Sequence, residues 1–225
     1  MIKFIGFDKD GTLFDSIPTY AKIWGEIFHK EYGINKNQAA DYLLTTSGKQ
    51  TKDQVKDLLL QNGISISEDE ASKKARKIAL ELGERANAKL FPEVEGILKE
   101  LKAQGYKIFV SSSQQEEVIR KDLESSGISK YVDFYAGLKP EEPDYKKGVV
   151  HFKSAAKFFR VPFKEFVKET VFIGDTPSDM RAAKESNIIS IIRRSGNADE
   201  SLLNEGASFF VEDFTNLPKI IATIN

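Results

Sequence analysis

The sequence contains no cysteine, which excludes disulfides and thiolate metal sites. Any metal must therefore be held by oxygen or by the two histidines. No stretch approaches the ~18 consecutive apolar residues of a membrane-spanning helix. The N-terminal "MIKFIGF" enters a β-rich run at once, without a cationic and apolar leader, so a cytoplasmic protein is expected. Excess charge of either sign is also missing, with 33 Lys plus Arg against 34 Asp plus Glu. No global field favours nucleic acid or an anionic membrane, and neither partner is expected.

What is present is ordinary globular material: 225 residues, 40% apolar and 30% charged. Short apolar runs alternate with helical patterns, the signature of a parallel sheet flanked by helices. Strands are expected at 2–7, 107–111, 134–136, 170–173, 189–192 and 208–211. Val94, Ile97, Leu98 and Leu101 share one face of a helix between them. Gly105, Gly127 and Asn187 stand where such helices stop. The first two strands lie about 100 residues apart, too far for one crossover. The gap reads as successive helices: a stripe of Tyr20, Trp24, Ile27 and Phe28, a second from Val55, Leu58 and Leu59, and a third from Ala71 to Leu90. Ile17-Pro18 and Phe91-Pro92 bound it as expected hinge strands. The expected architecture is α/β: a Rossmann-like core of residues 1–16 and 91–225 carrying an all-helical cap, 17–90.

The chemistry concentrates at two strand ends. "FDKDGTLFDS" places Asp8 and Asp10 two residues apart, so both point to one side of an extended chain. "VFIGDTPSDM" ends another β-rich run with Asp175 and Asp179. Neighbouring carboxylates resist ionising together unless a cation lies between them. In doubly wound sheets ligands bind at the carboxyl ends of strands. Four carboxylates at that edge call for a hard divalent cation, Mg2+.

These strings resemble two motifs of the haloacid dehalogenase superfamily: "DKDGTLFDS" its first and "GDTPSD" its fourth. The resemblance runs the length of the chain and points to the helical-cap group of phosphoglycolate phosphatases and β-phosphoglucomutase-like proteins. It implies that Asp8 is the nucleophile that takes up a phosphoryl group, and that Asp10 protonates the leaving alcohol and then deprotonates water. It further implies Mg2+ held by Asp8, the Asp10 carbonyl and Asp175, with Asp179 ligating directly or through water. An acid at position 10 sets the chain apart from true dehalogenases, and from P-type ATPases, which carry threonine there.

A second-motif Ser or Thr is expected in "IFVSSSQQ", where Ser112 fits the common phosphatase register and Ser111 the mutase-like one. The third-motif lysine departs from the usual G-K-P-x-P-D-x-F pattern. In "GLKPEEPDYKKGVVHF" the choice falls on Lys147, then Lys146, with Lys139 too far upstream. Within the cap, "TTSGKQTKDQV" offers Gly48, Lys49 and Lys52 to the non-reacting part of a substrate. His29 and His151 are read as surface or packed histidines, and Arg193 and Arg194 as solvated loop charges. The expected activity is Mg2+-dependent hydrolysis of a small phosphorylated metabolite. The rival readings are a phosphomutase and a non-catalytic module that signals through its phosphorylated or metal-bound state.

Overall fold

A computed structural model describes residues 1–139, 147–194 and 206–224. The chain divides into two compact units, Met1–Asp15 with Lys89–Asn225, and Ser16–Ala88. The first holds strands β1 (Phe4–Phe7), β2 (Phe14–Asp15), β3 (Lys89–Leu90), β4 (Lys107–Gln115), β5 (Phe134–Leu138), β6 (Thr170–Gly174), β7 (Ile189–Arg193) and β8 (Phe209–Val211). Between β2 and β3 lies the helical insertion: α1 (Ile17–Tyr32), α2 (Lys36–Thr45), α3 (Thr51–Gln61) and α4 (Glu68–Arg85). Among the described residues, the other α-helices, α5 (Val94–Ala103), α6 (Glu116–Ser125), α7 (Val149–Phe158), α8 (Phe163–Lys168), α9 (Pro177–Glu185) and α10 (Leu217–Ile224), belong to the first unit.

Six strands form one parallel sheet in the order β5-β4-β1-β6-β7-β8. β1 reads Phe-Ile-Gly-Phe and every residue is buried, as a strand covered on both faces requires. It pairs with β4 through Phe4↔Lys107 and with β6 through Phe4↔Thr170. The order therefore reverses at β1, the switch point at which such sheets form their ligand crevice. One face is packed with aromatic rings: Phe172 lies 5.0 Å from Phe152 and 6.4 Å from Phe109, centroid to centroid. Offset and edge-on contacts of this kind add to the burial of the rings themselves.

The insertion leaves and rejoins the first unit through β2 and β3, which pair antiparallel as Phe14↔Leu90 and Asp15↔Lys89. Its own core is built on Trp24 stacked 4.7 Å from Phe28, with Val55, Leu58, Leu59 and Ile78. Ser67 caps α4 and Glu70 reciprocates, a capping box that satisfies amides at the helix start.

Several expectations change in detail. Pro18 lies in the first turn of α1, where its missing N–H costs nothing, and not in a hinge strand. The third helical stripe stops at Arg85, because Lys89–Leu90 is drawn into strand pairing with β2. Between the first and second stripes lies α2, whose apolar face is only Ala39 and Leu43 among its buried residues. Asn187 does stop α9 in a left-handed conformation, φ 56°.

Replacing Phe152 with Ala removes a fully buried ring from this core. The expected loss is about 3–5 kcal/mol, read as a lower midpoint in urea unfolding with little change in slope.

Candidate active site

The site is built where β1 and β6 end side by side. The Asp8 amide continues the ladder by donating to the Ile173 carbonyl (2.8 Å), so Asp8 leaves the sheet beside Asp175. Chain direction then turns sharply: the amides of Leu13 and Phe14 both donate to the Lys9 carbonyl at 2.9 Å. Gly11 takes φ 77°, and a Cβ there would stand 2.1 Å from Asp175 Oδ2. Only glycine allows both the left-handed turn and that approach. Gly174 plays the same part on the other strand, because a Cβ would meet the Asp179 side chain at 2.5 Å.

Asp8, Asp175 and Asp179 are buried and offer one carboxylate oxygen each within 4.8 Å of one another. Thr12 Oγ1 donates to Asp175 Oδ1 (3.0 Å), and the Thr176 amide and hydroxyl donate to Asp179 Oδ2 at 3.1 and 2.6 Å. Lys147, just before α7, sets its ammonium 2.7 Å from Asp8 Oδ1 and 2.5 Å from Asp179 Oδ1. One ammonium faces three carboxylates. Burial, with Asp179 nearby and against the pull of Lys147, pushes the Asp8 carboxyl up to about 7. Burial, with Asp8 and Asp179, also holds Asp175 well above the usual carboxylate range. Burial opposes charge on Lys147, but Asp179 and Asp8 outweigh it and raise the lysine. A buried oxygen-only cluster short of positive charge fits a hard divalent cation.

Asp10 stands apart from these three. Its carboxylate lies 2.9 Å from Lys9 Nζ, which also donates to Asp122 Oδ2 of α6 at 2.7 Å and lies over the Phe14 ring. Lys9 is 0% exposed. Nothing in the sequence singled out Lys9 or Asp122, because the pair is 113 residues apart and joins only in the fold.

The two serines have different partners. Ser111 Oγ is 2.9 Å from His151 Nδ1 inside the core, while Ser112 Oγ accepts from the Gln114 amide (3.1 Å) where β4 breaks register with β5. Lys146 lies outside the described residues, and Lys139 forms a long ion pair with Glu116 (3.9 Å). Gly48, Lys49 and Lys52 all belong to the helical unit. There Lys49 pairs with Asp57 (3.5 Å) and Lys52 with Glu68 (3.6 Å). His29 Nδ1 lies 3.1 Å from the Ile34 carbonyl of the same unit.

Arg194 is the exposed charge expected, paired with Glu212. Arg193 is not: it is only 4% exposed and contacts Thr12, Glu93, Phe91 and Phe214. A charge that ends a buried strand beside aromatic residues is more readily enclosed than one in a loop.

Two solution measurements test these electrostatics. With folded-state values above the unfolded 3.8, Asp8 and Asp175 make the metal-free protein lose stability as pH rises from about 4 through about 7. A divalent cation held here would favour the ionised carboxylates, so a rise in Tm on adding Mg2+ should be larger at pH 8 than at pH 5.5. A gain independent of pH would contradict the cluster. His151 behaves oppositely: burial, then Lys147 and Lys139, lower it to about 3. Its contribution is complete above pH 6.5 and is lost as pH falls toward 3. Urea unfolding of His151→Asn should therefore lack about 1.4 kcal/mol per pH unit of the wild-type acid slope in that window.

Comparison with known proteins agrees with this geometry. The family model described as haloacid dehalogenase-like hydrolase matches residues 5–192. A phosphoglycolate phosphatase of Vibrio parahaemolyticus is 26% identical over 98% of this chain and 96% of its own. A Caldanaerobacter subterraneus protein named "Putative pyrophosphatase PpaX" is 29% identical over 140 residues, 59% of each chain. Among solved structures, one titled "predicted phosphoglycolate phosphatase" from Haemophilus somnus superposes with TM-score 0.78 at 23% identity, covering 98% of both chains, a likeness of fold. The chain belongs to the haloacid dehalogenase-like hydrolases.

Proposed function

We propose that this hydrolase is a Mg2+-dependent phosphatase that releases phosphate from a small phosphorylated metabolite through a phosphoaspartate on Asp8. The observation that carries the reading is the buried cluster of Asp8, Asp175 and Asp179 with Lys147 against it, at the ends of adjacent central strands. Asp8, the carbonyl of Asp10, Asp175 and Asp179 would hold the cation. When bound, it supplies the positive charge that lets an anionic nucleophile and an anionic phosphate approach.

In the first step an Asp8 carboxylate oxygen bonds to phosphorus as the bond to the leaving oxygen breaks. Asp10 gives its proton to that oxygen. In the second step water attacks phosphorus, Asp10 takes the water's proton, and the Asp8 carboxylate departs. Lys147 lies on Asp8 Oδ1 and is suited to steady charge on the transferring group. Ser112 is the preferred hydroxyl donor to that group, since Ser111 already faces His151; Lys146 remains the second choice for the lysine. Gly48, Lys49 and Lys52 are proposed for the non-reacting part of the substrate, and a cytoplasmic location is proposed with them. The core and cap are taken as residues 1–16 with 91–225, and 17–90.

The relatives' names make phosphoglycolate and pyrophosphate the first compounds to assay, followed by sugar and nucleoside phosphates. Phosphate release from at least one of them in Mg2+ is expected, with Asp8→Asn reducing turnover by at least 10^4-fold, the order of loss seen when a nucleophile is removed. Asp8→Asn retaining activity would sink the mechanism. Conversion of a hexose 1-phosphate to its isomer without free phosphate would replace hydrolysis by a mutase reaction.

A further inference from the structure

Arg193 ends β7, one strand beyond the one that delivers Asp175. Its guanidinium carbon lies 3.6 Å from the ring centroid of Phe91 and 4.6 Å from that of Phe214. Nη1 donates to the Thr12 carbonyl at 3.1 Å and forms an ion pair with Glu93 Oε1 at 2.7 Å. Thr12 is fully buried, and its hydroxyl donates to Asp175 Oδ1 at 3.0 Å. Phe91 in turn gives its amide to the Leu13 carbonyl (3.1 Å), so the segments before and after the insertion are joined where the arginine grips them.

We propose that Arg193 is a positioning residue for the carboxylate cluster, fixing Thr12 so that the Thr12 hydroxyl orients Asp175 toward a divalent cation. This rests on the reading of Asp8, Asp175 and Asp179 as the cation's ligands. The side chain suits the task. A guanidinium is flat and always charged, so it stacks on aromatic faces while donating in its plane. Lysine offers neither the plane nor the stack. Groups that hold a metal ligand from behind typically change metal affinity 10–100-fold when removed. Here the support is two contacts deep, Arg193 to Thr12 to Asp175.

Direct Mn2+ titration of metal-free protein, with free Mn2+ counted by electron paramagnetic resonance, tests this without any turnover. The variants are R193M, R193K, T12V and R193M/T12V, with R194M as the exposed control. R193M and T12V are each expected to weaken Mn2+ about tenfold. R193K should do nearly the same, and R194M should match wild type. Because Arg193 and Thr12 act on Asp175 in series, the double variant should bind about as well as either single one. A merely structural arginine would lower the Tm of R193M and leave its Mn2+ affinity intact, which overturns the proposal. A double variant near the product of the single effects, about a hundredfold, overturns it also, as does an equal loss in R194M. If R193M is not recovered folded, R193K and R193K/T12V carry the same comparison. Wild-type protein that takes up no Mn2+ would remove the cation site itself, whereas uptake unaffected by R193K removes only the role of Arg193.

Discussion

Three carboxylates buried together with one ammonium is the constraint on which this structure depends. Each carboxylate would rather be in water, and each raises the cost of charging the others. The protein offsets that cost with directed donors: Thr12 on Asp175, Thr176 on Asp179, and Lys147 across Asp8 and Asp179. These donors do not neutralise the cluster, and burial, together with the neighbouring carboxylates, still pushes Asp8 and Asp175 upward. A buried cluster that keeps such a deficit is consistent with a metal site.

The sheet makes this crowding possible. β1 and β6 are neighbours in register, Phe7 opposite Ile173, so the next residues of both strands leave the sheet at one level. Side chains of two successive strand ends would collide there but for Gly11 and Gly174, which make room for the carboxylates of Asp175 and Asp179. The local turn chemistry of "DKDGT" and "GDTPSD" is thus inseparable from the long-range pairing of two central strands. The turn also begins the path into the insertion, so the segment that carries Asp8 carries the connection to the helical unit as well.

The parallel sheet and its helical insertion were legible because their cues are local: buried β runs, apolar stripes and the two aspartate strings. β2 and β3 were not, because two-residue strands have no periodicity to read and exist only through each other. The weak face of α2 hid it in the same way. Around the cluster, what could not be read was the company of each charge. Arg193 and Lys9 look like ordinary surface cations in one dimension. They are enclosed because Glu93 and Phe91, and Asp122 and Phe14, converge on them from distant segments. Ser111 likewise acquires a partner 40 residues away in His151.

Lys9 sharpens the relation between the two aspartates that flank it. Asp8 joins Asp175 and Asp179 in the cluster, whereas the Asp10 carboxylate rests against Lys9, which also contacts Asp122 and Phe14. Two carboxylates two residues apart thereby have different counter-charges, Lys147 for Asp8 and the buried Lys9 for Asp10. In the proposed reaction they also need separate roles, because a nucleophile must stay unprotonated while its neighbour exchanges a proton with the leaving oxygen and then with water. Within the motif itself, Lys9 is in contact with both Asp10 and Asp122. An apolar residue at position 9 would leave Asp122 buried without its partner and Asp10 without the contact that distinguishes it from Asp8.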